Sequence, residues 1–292
     1  MSEKELDPAA LKKIGVIQQK QKEYFALRLR VVGGDLSSSQ LEKIGETARK
    51  YAKGRVHLSV RQGVEIHFVR YSDVENARKE LESAGLRMGA CGPRVRGVVA
   101  CPGSATCRWG IADAQKIASD LDAQYFGVEA PHKFKIAVTG CPNNCAKAAE
   151  NDLGIMGALL PRWSVSRCTD CGLCVNICPT KAIEKRNGTD GKPEYVLRED
   201  LCINCSICTA SCPANSWVIE KQGYNIFVGG TMGKTQRLGI LLKKLVSDKD
   251  LPVLVERILV YYQKNGRKKE RLGNTLERIG FDSAKKELLD GI

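Results

Sequence analysis

The chain has 292 residues, 43% of them hydrophobic, and a formal charge of +13. That length builds one large domain or two of ordinary size around a real core. No run of about 18 apolar residues is present, so no membrane span is expected.

The N-terminus, MetSerGluLysGluLeuAspPro, lacks an apolar signal region, so a cytoplasmic protein is expected. The basic balance first suggests nucleic acid. Aromatics are only 6%, however, and no aromatic platform alternates with basic residues, so nucleic-acid binding is not expected. Thirteen cysteines without a secretory signal do not read as a disulfide scaffold. Twelve fall in tight C-x2-C, C-x3-C or C-x5-C groups, the bunching that soft metals and iron–sulfur clusters require. Cys91 is left over and reads as a small buried hydrophobe.

Residues 1–22 are polar, with a short helical pattern at Ala10, Leu11, Ile14 and Ile17 that suggests a packing arm. The stretch 24–32 alternates: Phe25, Leu27, Leu29 and Val31 face one way, Arg28 and Arg30 the other, as in a strand with one buried face. Gly33-Gly34 ends it. A helix is expected from Ser38, with Leu41, Ile44, Ala48 and Tyr51 on one face and Gly54 closing it. Strands at 55–60 and 64–69 are joined by the Arg61-Gln62-Gly63 turn. Ser72 and Glu75 form a capping-box pattern, opening a helix with Val74, Ala77 and Leu81 inward that stops at Gly85. The order β-α-β-β-α predicts a small α+β sandwich. The other sheet face carries Arg28, Arg30, His57, Glu65 and His67. It is either a solvated face or one that meets a polyanionic ligand.

Residues 86–161 bring Arg94, Arg96 and the first cysteine set, Cys101-x5-Cys107 and Cys141-x3-Cys145. A helix is expected from Cys107 to about Asp120, a strand over 133–139, and a second helix after CysProAsnAsnCys. In LysPheLys (133–135) both lysines point to one side of the strand. They are either a solvated face around buried Phe134 or, beside the cysteines, part of a site. Within 162–221, Cys168-x2-Cys171-x2-Cys174-x3-Cys178-Pro179 is followed by Cys202-x2-Cys205-x2-Cys208-x3-Cys212-Pro213. This is the bacterial two-cluster ferredoxin pattern, in which the fourth cysteine crosses over. One cluster should take Cys168, Cys171, Cys174 and Cys212, the other Cys202, Cys205, Cys208 and Cys178. A pair of structural zincs is the alternative, which eight cysteines with both prolines disfavour. A strand is expected at 224–228, followed by Gly229-Gly230-Thr231-Met232-Gly233-Lys234-Thr235. Three residues rather than four separate Gly229 from Gly233, so a nucleotide phosphate loop is not expected. Residues 234–265 and 267–289 read as basic helices, and 264–271 as a solvated linker and helix start.

The pairs Cys101/Cys107 and Cys141/Cys145 resemble the cluster motif of siroheme-dependent sulfite and nitrite reductases. The resemblance covers nearly the whole chain. It includes the ArgLeuArg…GlyGly strand, the ArgGln turn at 61–62, ArgGlyValValAlaCys (96–101), ThrGlyCysProAsnAsnCys (139–145) and the GlyGly loop at 229–230. With the ferredoxin insert, the chain looks most like the catalytic C-subunit type of anaerobic, dissimilatory-type sulfite reductase. The implied architecture is a sulfite-reductase-type α/β sandwich module carrying an inserted two-cluster ferredoxin-like domain. Its parts would be a ferredoxin-like half domain (1–85), the first part of a siroheme/[4Fe–4S] domain (86–161), the insert (162–221), and the second part with C-terminal helices (222–292).

The resemblance implies that Cys101, Cys107, Cys141 and Cys145 bind a [4Fe–4S] cluster, with Cys145 also ligating siroheme iron. Arg28, Arg96, Lys133 and Lys135 match the substrate cations. Arg30, Arg61, Gln62, Asn143, Gly229, Gly230, Lys234 and Arg237 are candidates for siroheme contacts. Siroheme and three [4Fe–4S] clusters are thus the expected cofactors. Cluster thiolates and roughly eight siroheme carboxylates would nearly cancel the basic excess. The expected reaction is six-electron reduction of sulfite to sulfide. Nitrite reduction on the same cofactor, or an electron-transfer subunit with a vestigial haem site, are the rivals. The large assimilatory enzymes hold two copies of this module and this chain one. A homo-oligomer or a complex with related subunits, fed by an electron-donor protein, is therefore expected.

Overall fold

The computed structural model describes residues 7–188 and 191–291. The reading of the N-terminus rests mainly on residues 1–6, which lie outside the described residues. Helix α1 (Pro8–Lys13), capped by Asp7, leads to strands β1 (Val16–Gln18) and β2 (Tyr24–Arg30). The helical pattern expected through Ile17 stops early. Gly15, at φ +80°, turns the chain back along β2, and Ile17 pairs with Ala26 in a strand.

Helix α2 (Ser38–Tyr51) opens on a capping box between Ser37 and Gln40. Strands β3 (Val56–Leu58) and β4 (Val64–Arg70) form a hairpin, helix α3 (Tyr71–Ser83) follows, and β5 (Arg87–Met88) returns to β2. The sheet is antiparallel, in the order β1-β2-β4-β3. Its covered face packs Phe25, Leu27, Leu29, Val64 and Ile66 under Ile44 and Ala48 of α2 and Val74, Ala77 and Leu81 of α3. Leu41, expected on the inner face, is 52% exposed. Ser72 and Glu75 do not cap α3. The helix already begins at Tyr71, without a side-chain cap, and Glu75 bonds Arg78 instead.

Strand β6 (Val99–Ala100), helix α4 (Ala114–Tyr125) and strands β7 (Ile136–Thr139) and β8 (Leu153–Trp163) begin a second layer, with β6, β7 and β8 parallel. The helix expected from Cys107 starts only at Ala114, behind an Asp113 cap. Before it, the Ile111 and Ala112 N–H groups donate to Gly140 O at 2.7 and 3.0 Å and so cannot enter a helix. Gly110 lies so close to the Gly103–Ser104 backbone that a Cβ would stand 2.5 Å from it. The helix expected after CysProAsnAsnCys is absent too. Asn144 and Lys147, both at φ +56°, fold that segment into turns and the 3₁₀ turn Ala148–Glu150.

Between β8 and its antiparallel partner lie α5 (Leu173–Ile177), β9 (Ile183–Asn187), β10 (Pro193–Leu197) and α6 (Ile207–Ser211). The returning strand, β11 (Trp217–Val228), pairs with β8 from Trp163↔Trp217 at the insert to Leu153↔Val228 in the main sheet. This one long hairpin carries the insert out from the sheet. Ala182, Ile183, Tyr195 and Trp217 form a small core there, with Trp163 and several cysteines packed against it.

Strand β12 (Ile240–Val246) completes the order β12-β11-β8-β7-β6 where a helix was expected. Buried Leu242 and Val246 are four apart, which mimics a helical repeat. Two register shifts, Tyr224↔Val246 to Ile226↔Lys243 and on to Phe227↔Leu241, with Leu245 at φ +53°, break the strand's alternation and leave Lys244 exposed between Leu242 and Val246. Helices α7 (Asp250–Asn265), α8 (Leu272–Ile279) and α9 (Phe281–Leu289) join α4 over this sheet, around Phe134, Ile136, Ile155, Ile226, Leu254 and Tyr262. No described helix is long and apolar enough to cross a membrane.

Candidate functional site

The parallel strands β6 and β7 end side by side, Ala100 opposite Val138, and so deliver Cys101 and Cys141 to one place. Cys107 and Cys145 lie in the loops that follow. Cys101 is half-buried, Cys141 buried, and Cys107 and Cys145 exposed. The Gly140 N–H donates to Cys101 Sγ at 3.1 Å. Burial pushes the Cys141 thiol up, the Asn143 N–H offsets part of this, and the nearby Cys101, Cys107 and Cys145 add to it. Among the described residues, no three Cys, His, Asp or Glu side chains stand close enough to share a single ion. Four neighbouring thiols are the donor set that an iron–sulfur cluster takes.

In the insert, Cys212 lines the same small cavity as Cys168, Cys171 and Cys174, walled by Trp163, Tyr195 and Trp217. Cys202 stands near Cys205 and Cys178, and Cys208 near Cys205 and Cys202. Cys212, the last cysteine of the second run, thus shares a cavity with the first three of the first run, which Cys208 also lines, and Cys178, the last of the first run, lies near Cys202 of the second. Cys178 and Cys212 accept N–H groups from Ala182 and Ser216, both at 3.2 Å. Burial raises these two thiols, but such N–H groups outweigh it and leave both below the ordinary thiol range. Burial and the neighbouring Cys205 and Cys202 push Cys208 up to about 12. A thiol so placed becomes a thiolate only when a cation stabilises it. The donor chemistry therefore fits metal clusters.

A second feature lies on the polar face of the first sheet. A cavity of about 360 Å³ is lined by six cations, Arg28, Arg30, Arg61, Arg96, Lys133 and Lys135, and by one carboxylate, Glu65. Arg28 donates through Nε to Glu65 at 2.8 Å and through Nη1 to Cys91 Sγ at 2.8 Å. Arg96 donates to Ala90 O at 2.8 Å and Gly92 O at 2.9 Å, so its guanidinium brackets Cys91, and its buried Nε has no partner. Cys91 is buried as expected, but its sulfur is also a hydrogen-bond acceptor between two site arginines. Its partner Arg28 is 63 residues away in sequence, so no local signal announced it.

The cleft and the cysteine loops are joined through residues 61–62. Arg61 donates to Asn151 Oδ1 at 2.7 Å and Gly97 O at 2.9 Å. Asn151 in turn donates to Lys147 O at 2.7 Å, in the loop after Cys145. The Gln62 amide takes both backbone groups of Ala100, beside Cys101, at 2.6 and 2.9 Å. Gln62 is thus engaged in holding β6.

The remaining candidates for cofactor contact are placed less favourably. Arg30 lines the cleft, but its guanidinium bonds Asp122 at 2.6 Å and stacks on Phe126. Asn143 offers its backbone N–H to Cys141. Gly229 and Gly230 pack against residues 149–152, outside the cleft, where a Cβ on Gly230 would meet Ala149 O at 2.4 Å. Arg237 pairs with Glu277 and lines a separate pocket with Gly229 and Gly273. Lys234 is exposed on the loop between Thr231 and Arg237, away from the cleft lining.

Crowding of like charge shapes the cleft. Burial, with Arg61, Arg271 and Lys133 adding to it, pulls Lys135 down to about 8, and Asp152 opposes them. Burial pulls Arg61 down to about 10, which still leaves it charged at neutral pH. Chemically, such a lining can take up a compact anion, and a lysine so placed can give up its proton readily.

Comparison with known proteins identifies related chains. Residues 91–291 match the nitrite and sulphite reductase 4Fe-4S domain, and residues 17–84 the nitrite/sulfite reductase ferredoxin-like half domain. The coenzyme F420-dependent sulfite reductase of Methanocaldococcus jannaschii is 31% identical over 88% of this chain, which spans only 41% of that relative's length. The anaerobic sulfite reductase C-subunit of Salmonella typhimurium is 27% identical, over 91% of this chain and 83% of its own. The crystal structure of dissimilatory sulfite reductase I superposes with a TM-score of 0.73 at 20% identity, covering 91% of this chain and 68% of that one.

Proposed function

The chain belongs to the nitrite and sulphite reductase family, and on that footing we propose that it reduces sulfite to sulfide with six electrons, on siroheme coupled to a [4Fe–4S] cluster. One observation carries this reading: six cations and a single carboxylate line a cleft tied by hydrogen bonds to the loops of Cys101 and Cys145. Cys101, Cys107, Cys141 and Cys145 would hold the cluster, and Cys145 the siroheme as well. Bound siroheme supplies an iron for the oxyanion and the route by which electrons reach it. The two cysteine sets of the insert would hold two further [4Fe–4S] clusters, three in all, taking electrons from a donor protein or subunit.

The cleft residues then divide the work by chemistry. Arg28 and Arg96, fixed by Glu65, Cys91 and backbone carbonyls, present guanidinium N–H groups to anionic oxygens. Each sulfite oxygen that leaves as water takes up two protons. Lys133 and Lys135 are the groups placed to give them, the N–H bond breaking and the free amine recovering its proton from solvent. Lys135 carries its proton below about 8 and loses it above. Turnover is therefore expected to fall as pH rises through about 8, measured as an alkaline limb in kcat/KM. A profile flat to pH 10 would remove Lys135 from proton delivery.

The deciding experiment is an anaerobic assay of siroheme-loaded protein with a reduced viologen dye, run separately on sulfite and nitrite. A higher kcat/KM for sulfite supports the proposal. Preference for nitrite, with ammonium as product, makes this a nitrite reductase of the same design. No reduction of either sinks the proposal in favour of an electron-transfer subunit. Assembly as a homo-oligomer or with related subunits, with lysines acting across the interface, is part of the same reading. Full dye-linked turnover by a strictly monomeric protein rules that out.

A further inference from the structure

Asp152 lies just before β8, with its side chain fully buried. It accepts Arg271 Nε at 2.8 Å and Arg271 Nη2 at 2.6 Å, a two-pronged bond, and the Lys135 backbone N–H at 2.8 Å. Its own carbonyl accepts the Gly229 N–H at 2.8 Å. One residue therefore ties together the entry to β7, the end of β11 and the start of α8. Arg271 precedes α8 and is itself only 11% exposed. The segment leading to it is pinned, with the Lys269 N–H on Pro131 O at 3.1 Å and the Tyr262 hydroxyl on Glu270 O at 2.5 Å.

We propose that the Asp152–Arg271 pair is a positioning element of the cation cleft: it fixes the Lys135 backbone and, through its two charges, tunes the Lys135 ammonium. The inference rests on Lys135 facing the cleft and deepens the proton-donor role given to it above. A carboxylate fully removed from water needs its partner. The fork of Arg271 supplies charge and geometry together. The same Arg271 charge repels Lys135, while Asp152 attracts it. Arg271 has the stronger influence of the two, acting beside burial and the charges of Arg61 and Lys133. Arg28, Arg30, Arg96 and Glu65 complete the charged groups that line the cavity around Lys135. The C-terminal helices, which contribute no residue to that lining, thus reach the chemistry through one buried ion pair.

The test reads Lys135 directly and needs no turnover. Full-length holoprotein is briefly acylated across pH 6 to 11, and mass spectrometry of the Lys135 peptide gives the pH at which its amine becomes reactive. The wild type should show an inflection near 8. Arg271→Gln should move it upward, because a repelling cation is gone. Asp152→Asn should move it downward, because an attracting anion is gone. Arg271→Lys should restore the wild-type inflection. If either single variant fails to fold, Asp152→Asn combined with Arg271→Gln leaves no unpaired buried charge and should still move the inflection up. Inflections that stay at the wild-type value while only melting temperatures drop would overturn the inference. Failure of the viologen assay with the inflections shifted as described would sink the proposed reaction and leave this coupling standing.

Discussion

Replacing Lys135 with methionine is expected to lower sulfite turnover by about 10²- to 10³-fold, the usual loss when one preorganised charge donor is removed from a reaction site. The substitution keeps the unbranched stem, one atom shorter, and removes the charge. The Lys135 contact that organises the fold is its backbone N–H on Asp152, which any residue supplies. Iron content and the siroheme absorption band should therefore be unchanged. Thermal stability should hold or rise, because a desolvated ammonium beside Arg61, Arg271 and Lys133 is lost. Activity and stability would then move in opposite directions, the trade expected of a residue held in place for chemistry. Steady-state kinetics at saturating sulfite, together with a melting curve, decide it. Unchanged kcat removes Lys135 from the site.

Cys145→Ser is expected to abolish the siroheme band and the magnetic coupling between siroheme and its cluster, while the two insert clusters keep their spectra. The separation follows from the architecture. Cys145 belongs to loops held by β6, β7 and the Arg61–Asn151 bond. The insert cysteines pack in their own small core at the far end of the β8–β11 hairpin. A serine oxygen is a harder, more weakly coordinating donor to iron than a thiolate, and the exposed position of Cys145 lets solvent compete for the site. Anaerobic absorption and electron paramagnetic resonance spectra of the reconstituted variant provide the check. Normal coupling in the variant contradicts the assignment of Cys145 as the shared ligand.

The local sequence determined much of this protein. Cysteine spacing marked out the groups that lie together in the fold, because thiols with only two to five residues between them are brought close by a single turn. Alternation at 24–32 gave a strand, and the periodicity around Ile44 and Ala48, or Val74 and Leu81, gave helices, because these patterns report which side of one element is buried. The same logic misled at 240–246, where two register shifts break the alternation of a strand. It misled again around Gly110 and Asn144, where contacts with Gly140 and left-handed turns displace the expected helices.

Only the tertiary structure decided how these pieces become a site. LysPheLys and the polar sheet face each had an innocuous solvated reading, and what changes it is their meeting across one cleft. Cys91 was left without a role until Arg28 and Arg96 closed around it. Arg271, in a stretch read as a solvated linker, is buried against Asp152, 119 residues away. The physical reason is common to all of these. Spacing along the chain encodes the burial of neighbouring residues. The charge of a site, and the proton affinity of the groups in it, depend on partners that only the folded chain brings within a few ångströms.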